Sequence, residues 1–216
     1  MMAATHTFTR REEIANAVTH GIGALLSIAA LVLLVVFASL NGTAWHIVSL
    51  SIFGATMLLL YASSTLVHSF PEGKAKNLFE IFDHGAIYLF IAGTYTPFLF
   101  IVVKGALGWT LFGIVWGIAL IGVIFKVFFV KKFLFLSTIF YVAMGWIIIF
   151  AWNSLVASLA SNGVLLLVVG GILYTIGTIF YVWRLFPFHH AVWHLFVIGG
   201  STFHFLSVFF YVLPWN

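Results

Sequence analysis

Three histidines in this sequence are spaced so that they can share one metal ion. His190 and His194 are four residues apart, so both imidazoles project from one helix face. This is the spacing by which a single helix supplies two ligands to zinc. His68 ends an earlier apolar run and is available as a third ligand. Three neutral imidazoles and a water form the open arrangement of a catalytic zinc site.

Zinc is the metal that this ligand set favours. It suits nitrogen ligands, and the chain contains no cysteine to supply sulfur. Iron and nickel also bind three histidines, so the ligand type alone leaves the metal open between these ions.

Two further polar residues are candidate catalytic residues beside these histidines. Asp83 precedes an apolar run, so we expect it just inside the membrane, where an ionisable residue is costly and marks function. Its alternative role is to cap the following helix, since a carboxylate favours a helix N-terminus. Ser64 precedes His68 by four residues and shares its face. Its hydroxyl either orients a ligand or the metal's water, or serves a helix contact or its own helix carbonyl.

Each histidine also has an interpretation that involves no metal. An interfacial pair facing lipid headgroups accounts for His190 and His194, because a helix end is a favourable place for histidine. His68 taken alone is typical of a helix end. His20 and His204 lie inside predicted helices, where polar partners between helices are common. The helix topology brings the three histidines to the same depth in the membrane, which favours a metal site. The metal-site and the metal-free interpretations both stay open.

The composition predicts that these residues belong to a membrane protein. Of 216 residues, 63% are hydrophobic and only 6% are charged, whereas a soluble domain carries roughly 25% charged residues. So little polar surface cannot cover a globule in water, and lipid is the solvent that suits the chain. The net charge of +4 is accounted for by membrane orientation and anionic lipid headgroups, so no nucleic-acid partner is implied.

Seven apolar runs, each near the roughly 20 residues that cross a bilayer as a helix, predict an all-α membrane protein with seven transmembrane helices. The first run is too long for the core of a signal peptide. The chain is therefore divided into an N-terminal segment at 1–13 and a single transmembrane domain at 14–216. The runs lie at about 14–40, 44–67, 79–103, 106–129, 133–152, 163–183 and 190–213.

The basic residues predict the orientation of the helices. Lys104 lies on one side, and the other eight of the nine Lys and Arg residues lie on the opposite side. The positive-inside rule then predicts a cytoplasmic N-terminus and, after seven crossings, a C-terminus outside. All acidic residues share the cytoplasmic side, and four of them are expected to be solvated loop or helix-end groups: Glu12, Glu13, Glu72 and Glu80.

Several motifs in this chain resemble those of the bacterial hemolysin III family. That family lies within the superfamily of progestin and adipoQ receptors and alkaline ceramidases. The resemblance runs from Glu12-Glu13-Ile14-Ala15-Asn16 to Phe205, and no motif position departs from the pattern. Its specific pieces are Ser64-x-x-x-His68, Phe82-Asp83-His84, Ala92-Gly93-Thr94-Tyr95-Thr96-Pro97 and His190-Ala191-Val192-Trp193-His194.

The resemblance implies a seven-helix protein of the bacterial inner (cell) membrane with its N-terminus inside. It also implies zinc held by His68, His190 and His194 near the cytoplasmic face. Asp83 and Ser64 are then close neighbours, with Asp83 holding the zinc-bound water. The family name comes from a haemolytic, pore-like activity, and related eukaryotic members look like receptors with ceramidase-type hydrolysis. The fold therefore does not fix the function.

Three functions are compatible with these expectations. The first is a zinc-dependent hydrolase of a membrane lipid amide or ester, with Asp83 as the general base. The second is a non-catalytic membrane sensor or regulator, in which structural zinc joins the second and seventh helices. The third is a pore-forming channel or cytolysin, although the polar residues gather at one end of the helices. A structural zinc site is normally closed by four protein ligands, so a direct Asp83–zinc bond favours the second function.

Overall fold

Seven helical spans, each long and apolar enough to cross a membrane, make up the described chain, and the predicted all-α architecture is confirmed. The computed structural model describes residues 8–184 and 186–214, and no strand occurs within these ranges. Helices α5 and α6 share the fifth span, joined by a 3-10 turn, and α3 ends in a π-helical turn, Phe98–Val103. The helices are α1 (Arg10–Asn41), α2 (Ala44–Ser69), α3 (Lys74–Pro97), α4 (Gly105–Phe129), α5 (Leu134–Gly145), α6 (Trp152–Ser158), α7 (Ser161–Val182) and α8 (His189–Tyr211).

Helix α1 begins at Arg10, four residues before the apolar run that predicts it. A capping box starts the helix: the Thr9 hydroxyl accepts from the Glu12 backbone N–H at 3.3 Å, and the Glu12 carboxylate accepts from the Thr9 N–H at 2.8 Å. The sequence Thr9-x-x-Glu12 carries the signature of this motif. Apolarity alone misses it, because the first turn of the helix is polar.

Helix α3 also begins earlier than its apolar run, at Lys74 rather than near 79. Its first two turns are amphipathic, so a search for continuous apolar residues starts too late. Asp83 consequently lies in the third turn of α3, and the alternative that it caps this helix is wrong.

The fifth span is broken between α5 and α6, and Tyr95 of α3 satisfies the backbone groups at the break. Its hydroxyl donates to the Gly145 carbonyl at 2.6 Å and accepts from the Ile148 N–H at 2.9 Å. A membrane offers no water to backbone groups that leave the helical pattern, so such a break requires a partner from a neighbouring helix. Gly145 and Trp146, at this break, lie on the wall of a cavity inside the bundle, which we term the central cavity.

Glycines of α7 bring this helix against α8 within one chain. The sequence allows Gly170, Gly171 and Gly177 to pack either inside the monomer or between monomers. A Cβ atom on Gly177 would lie 2.7 Å from the Cβ atom of Phe196 in α8, closer than real contacts allow. Small residues at helix contacts let membrane helices approach closely, and Gly177 is used in this way within the monomer.

This contact predicts a destabilised Gly177→Leu variant. Overpacking a close helix contact costs about 1–3 kcal/mol, so the unfolding midpoint in detergent should fall. Gly113→Leu is the matched control, because a Cβ atom at Gly113 of α4 meets nothing within 4 Å. Equal midpoints for the two variants in thermal unfolding would contradict the packing of α7 on α8.

Candidate metal centre

The predicted convergence of three histidines is confirmed by the structure. His68 in the last turn of α2, and His190 and His194 at the start of α8, each offer one ring nitrogen, and these atoms all lie within 4.8 Å of one another. The ring centroids are 4.5 Å apart for His190 and His194, 5.1 Å for His68 and His190, and 5.4 Å for His68 and His194. Three imidazoles at these separations form a group that is competent to hold one metal ion.

The hydrogen bond of His68 leaves one ring nitrogen free for a metal. Its Nδ1 lies 2.6 Å from Oε2 of Glu13, whose other oxygen pairs with Nζ of Lys76 at 2.5 Å. An ionised carboxylate only accepts, so Nδ1 carries a proton, and in the neutral ring Nε2 carries the lone pair. Nε2 is buried and has no hydrogen-bond partner among the described residues. A carboxylate behind a histidine is the support that metal-ligating imidazoles commonly have.

His194 is held in the same tautomer by the backbone of α1. Its Nδ1 lies 3.2 Å from the Asn16 carbonyl oxygen and 3.0 Å from the Thr19 hydroxyl. The carbonyl oxygen only accepts, so Nδ1 donates and Nε2 is the lone-pair nitrogen. The Thr19 hydroxyl itself donates to the Ala15 carbonyl at 2.8 Å, which leaves its oxygen as an acceptor.

Glu12 and Glu13 are contacts of the site that the sequence reasoning missed, and the expectation that Glu12 is solvated is wrong. Glu13 supports His68, and Glu12 is 6% exposed. Oε1 of Glu12 also accepts from the Phe188 N–H at 3.1 Å, which ties the start of α1 to the start of α8. The spacing of Glu12, Asn16 and His20, four residues each, could have identified this buried polar face of α1.

Ser64 reaches the histidine cluster through His20. Its hydroxyl oxygen lies 2.6 Å from Nδ1 of His20, and the His20 ring stacks on His194 with centroids 3.4 Å apart. His20 is therefore a buried polar partner between α1 and α2, as its position in the sequence suggests. Ser64 takes part in this contact between helices, and the His20 ring lies between it and the candidate ligand His194.

Asp83 shares a cavity with the histidines and does not join their close group. Among the described residues, its carboxylate is not one of the groups whose atoms all lie within 4.8 Å of one another. Its Oδ2 lies 3.5 Å from Nδ1 of His84, and its side chain is 13% exposed. The described ligand group therefore contains three protein residues, which matches the open type of zinc site rather than the closed one.

The central cavity opens from the histidine cluster into the helix bundle. Its free volume is about 120 Å³, and its walls are mainly apolar. The polar residues at its metal end are His20, Ser64, Asp83, Tyr181, His190 and His194. An apolar cavity with a few convergent polar groups suits a small amphiphilic ligand.

Comparisons with known proteins agree with the resemblance in the sequence. The profile of the family described as Haemolysin-III related matches residues 8–205. The chain is 60% identical over 204 residues to the "Hemolysin-3 homolog" of Bacillus subtilis (strain 168), with 94% of this chain and 96% of the relative covered. "Hemolysin-3" of Bacillus cereus is 55% identical over 204 residues, covering 94% and 93%. The human "Monocyte to macrophage differentiation factor" is 28% identical over 210 residues, covering 93% and 84%.

The Glu13–His68 contact predicts that Glu13→Gln weakens metal binding. An amide supports the Nδ1 proton less well than a carboxylate, and loss of such support typically costs 10–100-fold in metal affinity. Competition with a chromophoric chelator on detergent-solubilised protein measures this change. Glu72→Gln is the matched control, because Glu72 also pairs with Lys76 but its side chain is 80% exposed. If the two variants retain the same affinity, Glu13 is not a support of the metal ligand.

Proposed function

Because this chain belongs to the haemolysin III family of multi-pass membrane proteins, we propose that it is a zinc-dependent hydrolase of a lipid amide or ester. The observation that supports this most is the open group of three histidines at one end of an apolar cavity. A lipid chain suits the apolar walls, and its carbonyl group suits the polar end.

The residues present fit a zinc ion. Two of the three imidazoles have a protonated Nδ1 held by an acceptor and an Nε2 nitrogen available to a metal, and Nε2 of His68 is buried without a partner among the described residues. His68, His190 and His194 would hold the ion. A bound zinc supplies a Lewis acid that polarises a carbonyl oxygen and activates water near neutral pH.

In this proposal, Asp83 transfers the proton during hydrolysis. Its carboxylate lies in the cavity with the histidines, where it accepts a proton from water and returns it to the leaving amine or alkoxide. The buried hydroxyl of Tyr181 also lines this end and has no hydrogen-bond partner among the described residues, so it donates to the carbonyl oxygen of the lipid. Ser64 orients the cluster through His20.

The proposed site lies at the cytoplasmic end of the bundle. Lys76, Lys131 and Arg184 are at the same ends of the spans as the histidine cluster, and the positive-inside rule assigns that side to the cytoplasm. A lipid substrate then presents its headgroup from the inner leaflet.

A non-catalytic sensor or regulator is the second candidate. The three histidines join α2 to α8, and α1 supports both through Glu13 and Asn16. Zinc in such a place would stabilise the bundle without chemistry. The two candidates differ in what happens when Asp83 is changed while the histidines remain.

The zinc site predicts about one zinc per purified chain and its loss in the double variant His190→Ala/His194→Ala. Elemental mass spectrometry of detergent-purified protein measures the metal content. His84→Ala is the control, because His84 neighbours the cavity but its Nδ1 contacts the Glu80 carbonyl at 2.9 Å. A folded wild type without metal after zinc supplementation would remove the catalytic mechanism.

The role of Asp83 predicts that Asp83→Asn keeps zinc but loses hydrolysis by roughly 10²–10⁴-fold, the usual contribution of a general base. Turnover of a panel of lipid amides and esters in mixed micelles measures this loss. Glu80→Gln is the matched control on α3, because Glu80 pairs with Lys131 rather than with the cavity residues. Loss of zinc in Asp83→Asn, with no turnover of any lipid by the wild type, would favour the regulator instead.

A further inference from the structure

A second group of polar residues lies deep in the bundle, away from the histidine cluster. Tyr174 of α7 and Ser201 and His204 of α8 form this group, which we term the inner polar cluster. His204 is ten residues beyond His194 on the same helix, about 15 Å along the axis. Tyr174 and His204 both line the central cavity, and His204 also lines the neighbouring cavity that continues from it.

Ser201 determines which way the hydroxyl hydrogens of the cluster point. Its hydroxyl donates to the Val197 carbonyl at 2.9 Å, and a hydroxyl has only one hydrogen to donate. When the Ser201 hydrogen points to Val197, the hydroxyls of Tyr61 and Tyr174, at 2.6 and 2.9 Å from the same oxygen, donate to Ser201. In that arrangement the Tyr174 oxygen has acceptor capacity left.

His204 is also left as an acceptor. Its Nε2 lies 3.0 Å from the Leu167 carbonyl oxygen, which only accepts, so Nε2 carries the proton of the neutral ring. Nδ1 then carries a lone pair, and it is buried with no hydrogen-bond partner among the described residues. The ring packs edge-on to Tyr174 with centroids 5.3 Å apart, and both residues line the central cavity.

The threonines on the cavity wall also donate their hydroxyl hydrogens to groups of the protein. The hydroxyls of Thr94, Thr175 and Thr178 each donate to a carbonyl of their own helix, at 2.8, 2.8 and 2.7 Å. Thr175 in addition accepts from the indole N–H of Trp146 at 3.0 Å. The inner part of the cavity thus presents oxygen and nitrogen lone pairs, and its own donors are directed into the protein.

We propose that the inner polar cluster is a binding subsite for a lipid chain that carries a hydrogen-bond donor, a hydroxyl, near its middle. A plain hydrocarbon chain would leave the Tyr174 and His204 acceptors unpaired in an apolar environment, and a chain carbonyl or ether would add further lone pairs. A hydroxyl supplies the missing hydrogen. This inference deepens the proposed function and rests on it in one respect, since the ligand is taken to be a lipid whose carbonyl end lies at the histidine cluster.

Equilibrium binding of two fatty acids of equal length, one with a mid-chain hydroxyl and one without, tests this subsite. The detergent-purified full chain with its bound metal should prefer the hydroxylated acid by roughly 3- to 10-fold, the effect of one neutral hydrogen bond. Tyr174→Phe and, separately, His204→Phe should reduce that preference while binding of the plain acid persists. Moving the hydroxyl to either end of the chain should abolish the preference.

Tyr61→Phe is the matched control. It removes an equivalent hydrogen bond to Ser201, but Tyr61 is not among the residues that line the cavity. The preference for the hydroxylated acid should therefore survive in this variant. Unfolding midpoints of all three variants show whether each remains folded.

Equal affinity of the wild type for both acids would overturn the inference, and so would a preference that is unchanged in folded Tyr174→Phe and His204→Phe. Because the assay measures binding without turnover, its outcome is separate from that of the proposed hydrolysis. A hydroxyl preference in a protein that hydrolyses no lipid would refute the proposed function and leave the subsite standing.

Discussion

The absence of water in the membrane interior is the constraint on which this structure depends. Every buried polar group must find its partner inside the protein, so the groups that stay unpaired are informative. Tyr95 shows the rule at the broken fifth span, where one hydroxyl serves two backbone groups. Three of the exceptions among the described residues belong to the histidine group or the cavity wall, namely Nε2 of His68, the Tyr181 hydroxyl and Nδ1 of His204, while Lys126 and Ser137 lie elsewhere.

Helix α1 is the support that prepares the metal group. Glu13 accepts from Nδ1 of His68, and the Asn16 carbonyl accepts from Nδ1 of His194. Glu12 fixes the start of α8 by accepting from the Phe188 N–H. His20 adds a ring that stacks on His194. These contacts come from one buried face of α1, so the ligand geometry on α2 and α8 is set by a helix that supplies no ligand to the described group.

The cavity has hydrogen-bonding properties that differ between its two ends. At the metal end, the Tyr181 hydroxyl is free to donate among the described residues, which suits a carbonyl oxygen. Further in, Nδ1 of His204 offers a lone pair, as does Tyr174 when it donates to Ser201, which suits a hydroxyl. An amphiphile that is matched to both ends has one orientation along the cavity, and the apolar walls between them favour its chain. The proposed chemistry and the proposed subsite thus use one elongated space.

The sequence by itself determined the seven spans and indicated the three histidines that converge. Long continuous apolar runs indicate helices that are surrounded by lipid. The four-residue spacing of His190 and His194 places both side chains on one helix face. Only the tertiary structure decided that Glu12 is buried and Glu13 supports His68, that Asp83 lies inside α3, and that Ser64 meets His20. Those roles depend on which helix faces meet. Apolarity patterns leave that open in a membrane protein, because lipid-facing and protein-facing surfaces are both apolar.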